Sequence, residues 1–395
     1  MNLNSPILYS LICMFFLCVG CTSNRTDAEE NSVSDPFSGL EHLFTTPKTY
    51  VVYKTSKPIE IDGAMDEADW AKAEWTDEFV DIEGSLKPDP YLPTKAKMLW
   101  DEENFYFAAE LKDPHVWATL KNHDAVIFID NDFEIFIDVD NDKHRSNYKY
   151  PDHDTHRYYE FEMNAFNTTW DLFLDKAYRD GGMALTSWEI KGLKTGAKVL
   201  GTINDPGDED QGWTVEIAIP FSSIHYGPSG GSYAPSDGDQ YRVNFSRVQY
   251  DMDIIDGKYV KQKDSTGKDL PCYNWVWSPQ GVINMHFPER WGYAQFSIET
   301  VGTKTVPFIH HYPEKQKDYL WLVYYKQREW IRDHSQYAAN LEDLGINNEV
   351  IIDGVKNTME IEATSRQFIA SIKSENDPTI WSIHQDGLVI QSAQE

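Results

Sequence analysis

The stretch DNDFEIFIDVDND, residues 130–142, constrains the fold more than any other part of this chain. Phe133, Ile135, Ile137 and Val139 fall on one side of an extended backbone, and Glu134, Phe136, Asp138 and Asp140 on the other. Alternation of period two specifies a strand with one buried face. The pattern recurs in TYVVYK, KAKMLW, NFYFAAEL, AVIFID, YYEFEMN, TTWDLFL, GAKVLGTI, WTVEIAIP, YRVNFSRVQY and YAQFSIE, with Gly, Pro, Asn and Asp between the segments. Many short strands separated by turn residues predict an all-β main domain, a β-sandwich or jelly roll. Helix is confined there to DEADWAKA and PFSSI.

The pattern changes near residue 310. KQKDYLWLVYYKQREWIRDHSQ places Tyr319, Leu322, Val323, Trp330 and Ile331 at helical spacing, and YAANLEDLG reads as a second short helix stopped by Gly345. MEIEA, QFIASIK, IWSIHQ and GLVIQ then read as a small antiparallel sheet. The boundary falls at 305–312, dividing a sandwich over 49–305 from a small α+β module over 312–395.

The start of the chain speaks to compartment. PILYSLICMFFLCVG has the length of a signal-peptide core and is too short for an ordinary membrane span. Cys21 and a polar stretch follow, and the whole resembles a bacterial lipoprotein signal. That resemblance implies a signal peptide over 1–20, acylation of Cys21, a flexible tether over 21–48, and export to a bacterial membrane, the outer one by preference. Of the four cysteines, Cys13 and Cys18 leave with the signal and Cys21 carries lipid. Cys272 alone remains, which excludes an internal disulfide and reads as a small apolar filler. A formal net charge of −29 over 395 residues sets aside nucleic acid and anionic lipid surfaces as partners.

Taken in order, PIEIDGAMDEADWAKA, LWDEENFYFAAELKDPHVWA, FEIFIDVDND, YYEFEMNAFNTTWD, GWTVEIAIPFSSI, YRVNFSRV and NWVWSPQGVINMHFPERWGYAQF resemble a family 9 carbohydrate-binding module. Nothing beyond residue 300 is covered. The resemblance implies a β-sandwich that binds sugars, often with structural calcium, and that clamps a terminal sugar between two tryptophans. Glu134 falls on the sugar-contacting acidic residue and Asn164 on a matching Asn. Phe128 falls where one clamping Trp lies, Met285 near the other, and Glu162 where Arg is usual.

The residues themselves support a ligand of that kind. Aromatic faces suit the C–H faces of a sugar, and carboxylates, Asn and Arg suit its hydroxyl rim. Glu160, Glu162 and Asn164 share one face of YYEFEMN and, with Glu134, make an acidic surface. Three uses compete: reading sugar hydroxyls together with Arg247, structural pairing with Arg242 and Arg247, or the acid and base of a glycosidase. Trp117, in the loop after a D-P turn, is balanced between stacking on ligand and packing. Phe128 alternates with Val126 and Asp130 and reads slightly better as core; Trp188 and Trp213 read as core. Asp138, Asp140 and Asp142 form D-V-D-N-D, an oxygen-rich candidate for calcium, with Asp130 or Asp132 as added ligands and a solvated turn as the alternative. His144, His153 and His156 lie in a polar insertion that reads poorly as a zinc site.

The expected function is carbohydrate binding without turnover, at the cell envelope, in support of polysaccharide degradation. The alternatives are an O-glycosyl hydrolase using the same acidic face and an envelope assembly protein using 312–395 as its partner surface.

Overall fold

The structure, a computed structural model, describes residues 35–139, 155–225 and 234–393. The sandwich opens with β1 (Thr49–Lys54), the short helix α1 (Ala68–Lys72), β2 (Val80–Asp81), β3 (Thr94–Trp100) and β4 (Asn104–Leu111). β5 (Asp132–Asp138), β6 (His156–Asn164), β7 (Thr169–Lys176), β8 (Ala184–Leu185) and β9 (Lys194–Val199) follow. β10 (Trp213–Pro220), β11 (Gln240–Gln249), the hairpin β12 (Met252–Ile255) and β13 (Lys258–Lys261), β14 (Tyr273–Val276) and β15 (Gly292–Thr300) complete it.

One hydrogen-bonded path runs β8-β7-β6-β5-β11-β15-β1-β3-β4-β10-β9, with β14 added to β11 and β2 to β14. β1 lies parallel to both of its neighbours, β15 and β3, and the other pairs on the path are antiparallel. The path folds over on itself. Phe107 of β4 meets Phe245 of β11 with ring centres 5.9 Å apart, and Phe105 meets Tyr241 at 6.5 Å. The core between the two arms takes Phe133, Ile135 and Ile137 of β5, Tyr159, Phe161 and Met163 of β6, and Val215, Ile217 and Ile219 of β10. These are the apolar members of each alternating run, each contributing about 1.5–3 kcal/mol on burial.

The IDG turn is fixed by the outward face of β10. Glu216 of β10 accepts the Gly63 N–H at 2.7 Å and the Trp70 indole N–H at 2.7 Å. Gly63 has φ +86°, and a Cβ there would lie 2.8 Å from the Ala197 carbonyl carbon.

The second unit begins with α2 (Tyr312–His334), with Pro313 in its first turn and a left-handed cap at Ser335. β16 (Glu349–Ile352), β17 (Val355–Ala363), β18 (Phe368–Ser374), β19 (Thr379–His384) and β20 (Val389–Ala393) form a five-stranded antiparallel meander in sequence order. Leu320, Trp321, Val323 and Tyr324 of α2 share one core with Phe368, Ile372, Trp381 and Ile383 of the meander.

Four expectations change. AVIFID is not a strand: Ile127–Ile129 form a 3-10 turn, which turns Phe128 outward to 43 % exposure. YAANLEDLG keeps only a 3-10 turn at Glu342–Leu344, ended at Gly345 with φ +66°. The tether is not flexible as far as residue 48, because Leu40 and Leu43 are buried in the core of the second unit and Phe37 and Phe44 pack on it. An apolar residue every three or four positions was the missed signal. The acidic face of β5 does not meet open water, since all seven residues of the strand are buried on both faces.

Candidate functional site

Strand register gathers the acids. Glu134 of β5 lies directly opposite Glu162 of β6, Phe136 opposite Glu160, and Asp132 opposite Asn164. On the other flank of β5, Ser246 of β11 pairs with Glu134 and Asn244 with Phe136. Residues directly opposite in a sheet have Cβ atoms about 4.5–5.5 Å apart, so the carboxyls form one patch on the face away from the main core.

A cavity of about 280 Å³ opens on this patch. Glu134, Phe136 and Glu160 form its floor, Phe128 and Cys272 stand at its sides, and the Ile283–His286 loop closes another wall. Phe128 pairs with Trp170 of β7 at 6.3 Å between ring centres. Tyr178, also exposed, meets the His286 ring at 4.4 Å. The cavity therefore combines an acidic floor with the exposed Phe128 ring at its edge.

Burial sets the electrostatics. It pushes the Glu134 carboxyl up to about 7. Asp132, Glu160 and Glu162 are raised well above the carboxylate range, first by burial and then by one another and by Glu134. A patch in this state holds protons near neutrality and presents O–H donors beside oxygen acceptors. His286 moves the other way, down to about 4, through burial and then the Arg179 guanidinium, and its Nδ1 lies 2.9 Å from the Tyr158 hydroxyl.

Neither arginine named from the sequence pairs with the patch. Arg247 shares strand parity with Val243 and Phe245 and so lies on the core side of β11. Its guanidinium donates to Thr94, Lys112, Gln249 and Asp113, with the Asp113 carboxylate 3.3 Å away. Arg242 donates to the Trp291 carbonyl and reaches Glu314 at 3.2 Å. Both the hydroxyl-reading role of Arg247 and the structural pairing of either arginine with Glu134 or Glu162 are thereby corrected.

Two other candidates fall away from the cavity. Asn164 is fully buried; its amide donates to the Leu120 carbonyl and to Asp130, and its oxygen accepts the Phe166 and Thr168 N–H groups. It builds a loop and has no hydrogen-bonding capacity left for a ligand. Trp117 is 9 % exposed, with the Lys261 ammonium 5.6 Å from its ring, and does not line the cavity. Trp213 is core as expected, and Trp188 is partly buried against that core. Met285 is buried and lines the cavity.

Of the calcium candidates, Asp138 ends β5 in a buried position, while Asp140 and Asp142 lie outside the described residues. His144 and His153 also lie outside them, and the His156 imidazole Nε2 lies 3.0 Å from the Asp386 carbonyl in the second unit. Among the described residues, acidic oxygens converge elsewhere. One oxygen each from Asp132, Glu134 and Glu162 lies within 4.8 Å of the others, and His123, Asp124 and Asp171 make a second, more exposed group.

Sequence reasoning missed Asn274 and His286 beside this face. Glu160 and Cys272 were noted without being placed at the cavity. Parity on β6 pointed to Glu160, whereas the loop residues had no periodic signal.

The model of the family described as carbohydrate family 9 binding domain-like matches residues 61–278. Among solved structures, a candidate carbohydrate-binding protein from Bacteroides uniformis is 18 % identical at a TM-score of 0.44, covering 64 % of this chain and 100 % of its own. Two structures of a carbohydrate binding module family 9 from Caldicellulosiruptor kristjanssonii were solved with cellotriose and with glucose. They are 17 % and 16 % identical at a TM-score of 0.39, and they cover 66 % and 65 % of this chain and 100 % of their own. No curated protein matches the chain.

Proposed function

We propose that this chain, which belongs to the carbohydrate family 9 binding domain-like family, uses the cavity over β5 and β6 to hold a saccharide without transforming it. The observation that carries this reading is the meeting of Glu134 and Glu160 with Phe128 around one opening. The rim ring offers a flat apolar surface to the C–H face of a pyranose. The floor carboxyls, which burial biases toward the protonated form, offer hydroxyl groups both donors and acceptors.

The same patch argues against hydrolysis. A glycosidase needs one carboxyl kept protonated and its partner kept ionised, which requires environments that push two pKa values apart. Here burial raises Asp132, Glu134, Glu160 and Glu162 together.

A glycan array on the full chain tests the reading. Phe128→Ala and Glu134→Ala should abolish retention on the bound glycan with thermal melting preserved, and Trp117→Ala should leave retention intact. Release of reducing sugar from that glycan would move the protein to the hydrolases.

The reading extends to place. The apolar run before Cys21 and the polar stretch after it support export and a lipid anchor at the bacterial envelope, where captured polysaccharide is presented to degrading enzymes. Cys21→Ser should shift the protein from the membrane fraction to the soluble one. Persistence in the membrane fraction would rule out acylation at that residue.

A further inference from the structure

We infer that His123, Asp124, Asp171 and Glu189 form a binding site for a divalent transition-metal ion of the zinc class, on the face of β7 turned away from the acidic cavity. The inference does not depend on a saccharide ligand.

Three separate segments bring these side chains together. Asp171 of β7 lies opposite Phe161 of β6, on the core side, whereas Trp170 lies opposite Glu162. His123 and Asp124 come from the loop before the 3-10 turn at Ile127–Ile129, and Glu189 from the segment between β8 and β9. Asp124 takes φ +62°, and its N–H donates to the Thr169 carbonyl at 3.1 Å, which holds the loop against β7. The His123 Nε2 lies 3.1 Å from Glu189 Oε1 and 3.3 Å from Asp124 Oδ1. One Asp171 oxygen lies within 4.8 Å of the ligating atoms of His123 and Asp124. Ligands about 2.1 Å from a tetrahedral ion stand about 3.3 Å from one another, which matches the separations at His123.

The imidazole is oriented for ligation. Its Nδ1 lies 3.1 Å from the Thr169 carbonyl oxygen, which can only accept, so Nδ1 carries a proton. A backbone carbonyl on one ring nitrogen orients a histidine and leaves the other nitrogen for a metal. Nε2 faces carboxylate oxygens, which also only accept, so a proton or a metal ion must stand between them.

Asp171 separates those two cases. It is 1 % exposed, its Oδ2 accepts the Ile190 N–H, and its Oδ1 has no hydrogen-bond partner among the described residues. A buried carboxylate oxygen without a donor is costly. A proton on His123 leaves that oxygen bare, whereas a metal ion serves it together with the other ligands. Burial raises the Asp171 carboxyl only to about 6, so it is ionised at neutral pH. His123, Asp124 and Glu189 are exposed, which gives an ion a path in. An imidazole nitrogen among carboxylates suits zinc better than calcium or magnesium, which prefer oxygen alone.

Native mass spectrometry and calorimetric titration with zinc chloride, on the full chain after chelation, test the site. His123→Ala, at an exposed position, should bind one zinc fewer than wild type, and zinc should raise the melting temperature of wild type more than that of the variant. Folded Asp171→Asn should show the same loss, which an ion pair between His123 and Glu189 alone does not require. Calcium chloride, titrated separately, should bind wild type and variants equally. Equal zinc stoichiometry in wild type and His123→Ala, retention of that zinc by folded Asp171→Asn, no zinc bound to wild type at millimolar concentration, or loss of calcium instead of zinc in the variants overturns the assignment.

Discussion

At the scale of single residues, the site is built by strand parity and by what each polar group has already satisfied. Asn164 and Arg247 carry the right chemistry for a sugar, yet their hydrogen bonds are spent within the protein. His286 shows the cost of a titratable wall. Its folded pKa of about 4 lies below the ordinary 6.5, so folding favours the neutral ring. The stability this contributes is present above pH 6.5 and is lost as pH falls from there toward about 4. The groups around it are the Tyr158 hydroxyl, the Tyr178 ring and the Arg179 guanidinium. Melting temperature measured against pH should fall more steeply over that window for wild type than for His286→Gln. Parallel profiles would remove His286 as the cause.

At the scale of elements, the IDG turn and β9 depend on each other. Gly63 packs against the backbone of β9 at Gly196 and Ala197, where even a methyl group overlaps main-chain atoms. The Glu216 carboxylate ties this turn and Trp70 to β10. Gly63→Ala should therefore lower stability by about 2 kcal/mol, through its positive φ and the overlap together. Chemical denaturation reads this directly, and a change below a few tenths of a kcal/mol would show that β9 moves aside freely. The spacing IDG…W was visible in the sequence; the carboxylate that holds both ends, some 150 residues later, was not.

At the scale of the whole molecule, the second unit braces the wall of the cavity. Glu289, next to the loop that carries His286, is buried, accepts from Arg179 at 2.7 Å and binds the Tyr325 hydroxyl of α2. Arg179 also donates to the His286 carbonyl, and Asp180 accepts from Tyr324 at 2.6 Å and pairs with Arg328 at 3.0 Å. Glu289→Ala strands a buried guanidinium and should cost about 3 kcal/mol. Calorimetry of the wild type should show one unfolding transition, because the network joins both cores. Two separate transitions, with the variant altering neither, would mean that the units are energetically independent.

The sequence by itself determined most of the strands, the α+β tail and the side of β5 and β6 on which the acids lie, because period-two alternation is a local property of each segment. It also placed the core residues Phe133, Ile135, Tyr159 and Phe161, whose burial follows from that alternation. Only the tertiary structure decided that the acidic side is enclosed, that Arg247 faces away from it, that Phe128 turns outward, and that residues 37–44 dock on the second unit. Those outcomes depend on which distant strand, loop or helix covers a given face. That pairing is fixed by register and packing between segments up to hundreds of residues apart, which no local pattern encodes.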